Sequence, residues 1–298
     1  MYELFNKRLI KYILLVLAVI LILILPLTLI FSSAISVFDD ALEGLGKYNG
    51  IRLPIVMYHG TIPKSKDLGK FVITPKELES DIKYLKDHGY TSITMTDLIN
   101  YVYNDGELPS KPVMLTFDDG YYNNYIYATP ILKNYNMKAV ISVVGEFTEA
   151  STKIPENNVQ YSYVTWEQIK NMNDSGIYEI QNHTYNLHKY NKNRLGAKKN
   201  KNESIEAYKD LLLSDVGLLQ QKLKELAGVE PNTFTYPFGY ICNDSIPILK
   251  EMGFKATLTC AEGVNIINKN KKDILFGLKR KNRPHGVSTE SFFKNFCP

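Results

Sequence analysis

Cysteine is scarce: Cys242, Cys260 and Cys297 are the only three. None forms a CxxC pair, which excludes a zinc knuckle or a thioredoxin-like motif, and the odd count excludes a full disulfide framework. At most one bridge can form. A strong charge imbalance is also missing, since 35 basic residues face 31 acidic ones for a net +4. No basic block stands out, and Lys198, Lys199 and Lys201, interrupted by Asn200, read as a solvated loop or helix start. Nucleic acid is therefore not an expected partner. Tryptophan occurs once, as Trp166 at a predicted helix start, where core packing is expected. There is no internal repeat and no low-complexity tract.

What the chain does have is one long apolar run near its start. From Tyr12 to Phe31 it carries no charge, and about 20 residues at 1.5 Å each match a hydrocarbon core of about 30 Å. Pro26 lies within the run, which a membrane helix tolerates. Lys7, Arg8 and Lys11 precede it; Asp39, Asp40 and Glu43 follow. These flanks predict a cytoplasmic start over 1–11, a transmembrane anchor over 12–33, a linker over 34–50 and an extracytoplasmic domain over 51–298. The expected location is thus the cell membrane, single-pass, with the membrane itself as a partner. A cleaved signal peptide is the alternative, because Ser32-Ser33-Ala34-Ile35-Ser36 offers small residues for a peptidase.

Beyond residue 51, strand-like and helix-like stretches alternate. Arg52–Tyr58, Pro112–Phe117, Lys138–Val144 and Ile177–Ile180 are short apolar strands. Further ones are expected at Thr233–Tyr236, Lys255–Thr259 and Leu275–Lys281. Thr74 with Glu77, and Thr165 with Gln168, have capping-box spacing and predict helix starts. A helical stretch over Tyr125–Tyr135 is expected to kink at Pro130, and a long helix to span about Glu203 to Ala227. His88, beside Gly89, is expected to cap a helix end. Strands separated by helices imply a mostly parallel sheet with helices outside, and such folds carry their chemistry on loops after the strand ends.

Three segments fall at such places: Tyr58-His59-Gly60, Asp118-Asp119-Gly120, and His183 to His188. Two adjacent carboxylates repel unless a cation offsets their charge, and at a strand end they point to different sides. Taken alone, the pair reads equally well as a turn that caps a helix. His183 and His188 are five apart, about 140° on a helix, so they converge only if one ends a strand and the other lies on the following turn. Two histidines and one carboxylate suit Zn²⁺, Co²⁺ or Fe²⁺ with positions left open.

TFDDG at 116–120, HTYNLH at 183–188 and YPFG at 236–239 occur in this order. Together they resemble carbohydrate esterase family 4, the polysaccharide deacetylases with the NodB-homology domain, from about Leu53 onward. IVMYH at 55–59, YATPILKNYNMKAV at 127–140 and TWEQIKNMNDSG at 165–176 look like the branch of poly-N-acetylglucosamine deacetylases.

This resemblance implies an α/β fold, a distorted (β/α) barrel, here preceded by one transmembrane helix. It implies metal-dependent hydrolysis of acetamides on an N-acetylated polysaccharide. Asp119, His183 and His188 match the metal ligands, most readily for Zn²⁺, with Co²⁺ or another divalent ion open. Asp118 matches the general base. The turn Tyr236-Pro237-Phe238-Gly239 matches the oxyanion-holding motif, with the Phe238 N–H as donor. His59 matches the branch's general acid; His285 is its competitor. The family's third motif begins with an Arg that braces the base, but the aligned residue here is Thr235, which leaves Asp118 without that support. No fourth motif with its Asp and Trp is found. Tyr58, Tyr121, Tyr122, Tyr185, Tyr236 and Phe238 are candidate sugar-facing aromatics. Two other readings use the same residues: a two-His-one-carboxylate iron oxygenase, and an inactive anchored glycan-binding module.

Overall fold

A computed structural model describes residues 50–64, 66–191 and 194–298. Its centre is a nine-stranded sheet. In chain order the strands are β1 (Ile55–Tyr58), β2 (Thr91–Ser92), β3 (Pro112–Phe117), β4 (Ala139–Val143), β5 (Tyr178–Asn182), β6 (Thr233–Thr235), β7 (Ala256–Leu258), β8 (Phe276–Leu278) and β9 (Lys281–Asn282). They run β8-β7-β6-β5-β4-β3-β1-β9, with β2 also on β3, and every pairing is parallel. The helices are α1 (Pro75–Asp87), α2 (Met95–Tyr103), α3 (Thr129–Asn134), α4 (Gly145–Lys153), α5 (Trp166–Asp174), α6 (Ile205–Lys222), α7 (Ser245–Glu251) and α8 (Thr289–Phe293).

Strand periodicity of two divides the core. Val113, Leu115 and Phe117 join Ala139, Ile141 and Val143 in the cluster under the helices. Met114 and Val140 face the other way, with Ile55, Ala256, Leu258 and Leu278. Every residue of β3 is buried, as expected of a strand covered on both faces. Two steps on from Met114 along the inner face stands Thr116, and two steps more brings Asp118. The inner face therefore turns polar toward the strand ends, where Ser142 and Thr235 share a hydrogen bond of 2.7 Å.

The helices start as the sequence predicts where capping boxes exist. Glu77 N–H donates to Thr74 Oγ1 and Thr74 N–H to Glu77 Oε2, at 3.2 and 2.8 Å, and α1 then buries Leu78, Asp81, Ile82 and Leu85. Thr165 and Gln168 do the same for α5, whose Trp166 packs into the core. His88 caps the end of α1 and stacks on Tyr84. The stretch around Pro130 differs from expectation. A π-helical turn, Asn124–Ala128, precedes α3, and Pro130 sits at the second position of that helix, where its missing N–H does no harm.

Two expected strands are each divided. Ile51–Leu53 leaves the sheet to pair antiparallel with Asn265–Ile267. Leu275–Lys281 is broken into β8 and β9, which lie at opposite edges of the sheet yet are separated only by Lys279 and Arg280. The two edges must therefore meet, so the sheet curls into a barrel with Arg280 at its seam.

The expected fold class needs one correction. No helix among the described residues is long and apolar enough to cross a membrane. The anchor expected over 12–33, the 1–11 start and nearly all of the 34–50 linker lie outside the described residues. The architecture stands as the curled parallel barrel, and the membrane partner, the transmembrane helix and the single-pass location are withdrawn.

Candidate active site

Asp118 and Asp119 follow β3, His183 follows β5, and His188 lies on the turn five residues later. The condition for convergence is met, because His183 ends a strand and Thr184 reverses the chain at φ 74°. Asp119 is also left-handed, at φ 70°, as is Phe238 at φ 57°. A β-branched residue in that region is a true outlier, and such strain, about 1–3 kcal/mol per residue, gathers at functional sites.

Asp119 Oδ1 lies 3.2 Å from His188 Nε2 and 3.5 Å from His183 Nε2. Tetrahedral ligands at about 2.0–2.1 Å from a cation stand about 3.3 Å apart, so this spacing fits a divalent metal. Asp119 Oδ1 is buried and has no hydrogen-bond partner. His183 Nδ1 is 2.8 Å from the Thr235 carbonyl, which fixes the proton on Nδ1 and turns the Nε2 lone pair inward. One carboxylate and two imidazoles thus form a triad whose ligand atoms lie within 4.8 Å of one another.

The electrostatics agree. Burial depresses the His183 pKa, but Asp119, Asp118 and the Thr235 carbonyl more than offset it, and the net shift is upward. Burial and the neighbouring His183 push His188 down to about 4. Burial raises Asp119, yet the three imidazoles around it win and hold it low. A bound cation would supply the positive charge this cluster seeks.

Asp118 is the best-supported carboxylate of the group. Arg280 grips it with both arms, Nη1 to Oδ1 at 2.7 Å and Nη2 to Oδ2 at 2.8 Å, and both side chains are buried. Arg280 is itself held by the Thr259 carbonyl and Thr116 Oγ1. Burial raises the Asp118 pKa, but Arg280 more than cancels this and keeps it well below the carboxylate range. The brace that sequence reasoning missed therefore exists and comes from the barrel seam instead of from position 235. Its one sequence signal was an arginine inside the strand expected over Leu275–Lys281.

His59 follows β1, and its ring rests on Phe71 with centroids 4.7 Å apart. Its Nδ1 is buried without a partner. Burial lowers its pKa against the pull of Asp118 and Asp119. His285 is elsewhere engaged, 2.8 Å from Glu77 at the start of α1. The Tyr236–Gly239 segment forms a 3₁₀ turn in which Gly239 N–H donates to Tyr236 O. The tyrosines divide. Tyr58 and Tyr236 are core residues bonded to Asp81 and Ser245. Tyr121, Tyr122 and Tyr185 are half-buried, and Tyr121 stacks on Tyr163, which stacks on Phe147 beside His188. Phe238 is exposed against His188. All three cysteines are free.

A family profile described as polysaccharide deacetylase matches residues 105–257. A poly-beta-1,6-N-acetyl-D-glucosamine N-deacetylase of Staphylococcus aureus is 26% identical over 273 residues, 87% of this chain and 89% of the relative. A solved de-N-acetylase from Aggregatibacter actinomycetemcomitans is 28% identical with a TM-score of 0.68, covering 82% of this chain and 99% of that one. A Streptococcus pyogenes deacetylase solved with acetate shares the fold, with a TM-score of 0.68 at 22% identity over 84% of this chain and all of that one.

Proposed function

Because the chain belongs to the polysaccharide deacetylase family, we propose that residues 51–298 are a catalytic domain that removes acetyl groups from N-acetylglucosamine units of a polysaccharide. The observation that carries this reading is the Arg280-gripped Asp118 beside a triad of metal-ligand spacing. Asp119, His183 and His188 would hold the cation, with Zn²⁺ the expected ion. When bound, it supplies Lewis acidity that polarises the acetamide carbonyl and acidifies water.

The chain's own groups do the rest. Asp118 accepts the proton of the attacking water on a carboxylate oxygen that Arg280 keeps ionised. The Phe238 N–H donates to the oxyanion that forms. His59 gives a proton to the departing sugar amine. The polymer we favour is a β-1,6-linked N-acetylglucosamine chain. The Staphylococcus relative carries that substrate in its name, and the His59 placement and five-residue histidine spacing support the same branch.

Acetate release from poly-N-acetylglucosamine, peptidoglycan and chitin oligomers tests this. Activity should vanish on chelation and return with Zn²⁺ or Co²⁺. Failure of every polymer to yield acetate with either metal would sink the proposal.

A further inference from the structure

Beside the triad the surface becomes aromatic in a way the proposed reaction does not use. The Phe238 ring lies against the His188 imidazole, centroids 4.5 Å apart. Tyr190 meets Phe238 edge-on at 5.9 Å, and Tyr240 lies 6.4 Å from each of them. All three are open to water, at 68% for Tyr190, 40% for Phe238 and 36% for Tyr240. A contiguous exposed aromatic patch marks a binding surface, whereas scattered exposed rings need no explanation.

The patch is built from two loops fitted together. Tyr190 begins a strand pair, Tyr190–Asn191 with Arg194–Leu195, closed by a bond from Gly196 N–H to the Lys189 carbonyl. A Cβ on Gly196 would stand 2.9 Å from Pro237 Cβ, and one on Gly239 would stand 2.4 Å from Cys260 Cβ. Both glycines have positive φ, so no other residue fits easily at either contact. The strand pair is thus pressed against the turn at Gly196 and Pro237, and the turn against Cys260 at Gly239, which sets Tyr190 beside Phe238 and Tyr240.

The chemistry of the patch selects its occupant. Two of the charges flanking it among the described residues are matched, Lys189 with Glu146 at 3.3 Å and Lys199 with Asp244 at 3.4 Å. A neutral ligand with flat apolar faces and polar edges fits such a surface, and a pyranose ring has that character. We propose that Tyr190, Phe238 and Tyr240 form a stacking platform for the sugar rings next to the one at the triad, so that the site selects oligomers over single sugars. This rests on the reading above of an N-acetylglucosamine polymer, and the platform is continuous with the triad through the Phe238–His188 contact.

The test is calorimetric binding of β-1,6-linked N-acetylglucosamine oligomers of one to five units to the Asp118→Asn protein. Affinity should rise with length. Adding Tyr190→Ala and Tyr240→Ala should weaken the pentamer about tenfold and flatten the length dependence. Tyr190→Phe with Tyr240→Phe should restore it, because the ring and not the hydroxyl is at work. Equal loss for monomer and pentamer, or unchanged length dependence, would overturn the platform. So would a concentration-dependent dimer that the alanine changes abolish, since the occupant would then be a second copy. Platform-dependent pentamer binding without acetate release by the wild type would sink the deacetylase reading and leave the platform standing. Acetate release with platform-independent binding would do the reverse.

Discussion

Two buried arginine–aspartate pairs lie three residues apart on the closing segment of the barrel and behave differently. Arg280 grips Asp118, and Arg283 grips Asp81 with Nε at 2.7 Å and Nη2 at 3.0 Å. Tyr58 joins them, since its carbonyl accepts the Asp118 N–H and its hydroxyl donates to Asp81. Each oxygen of Asp81 takes two hydrogen bonds, the second coming from Tyr58 on Oδ2 and from Thr289 on Oδ1. Each oxygen of Asp118 takes one, from Arg280. Burial leaves Asp81 with a raised pKa despite its partners, whereas Asp118 is lowered. A saturated carboxylate ties α1, β1 and the C-terminal segment together. A carboxylate with an open lone pair is free to take a proton. The same pair of residue types is thus saturated in one place and left with open lone pairs in the other, and the open carboxylate is the one proposed above as the proton acceptor.

The largest expected effect is on the chemical side. Asp118→Asn should lower acetate release by about 10²–10⁴-fold while bound metal, measured by elemental analysis, is retained. If Asp81→Asn slowed the folded enzyme as much, the contrast would break. Arg283→Met should instead cost about 3–5 kcal/mol in urea denaturation, because Asp81 is left buried without its counter-charge. Turnover per folded molecule should stay within about threefold of wild type.

Glu77 sharpens the structural side. Burial alone would raise its pKa, but bonds from His285, Thr74 and Gly286 prevail and hold it at about 2. Because the folded value lies below the unfolded one of 4.5, its contribution is present above pH 4.5 and fades as the pH falls toward 2. The bonds lie at the solvent-facing start of α1, with His285 37% exposed, so after screening about 1 kcal/mol is involved. Glu77→Gln should flatten the stability–pH slope in that window, and an unchanged slope would remove Glu77 from the clasp. The smallest effect concerns strain beside the triad. Thr184→Gly should raise stability by about 1 kcal/mol, read as a higher melting temperature, since glycine adopts positive φ without penalty.

Much of the site was legible because its residues sit at strand ends and the strands are unbroken apolar runs. The alternation of β3, α3, β4 and α5 follows from such runs and from capping pairs like Thr165 with Gln168. Arg280 was hidden because its partner is 162 residues away, and nothing local says that a broken strand closes a barrel. Thr235, read as a lost brace, serves otherwise: its carbonyl orients His183 and its hydroxyl bonds Ser142. Tyr58 and Tyr236 were expected near sugar because they adjoin motifs, but strand alternation buries them. Hydropathy predicted the membrane anchor from a run that lies outside the described residues, and no described helix provides one.

The seam also orders events during synthesis. A chain emerging from its N-terminal side produces Asp118, His183 and His188 well before Arg280 and β9. Until that segment docks against β1, Asp118 has no guanidinium beside it, and two strand edges are open to stray pairing. A nascent chain therefore carries the triad's residues long before it carries a working site. Docking of one short segment therefore both braces Asp118 and covers the open edge of β1, so completion of the proposed site and loss of the sticky edge are a single event.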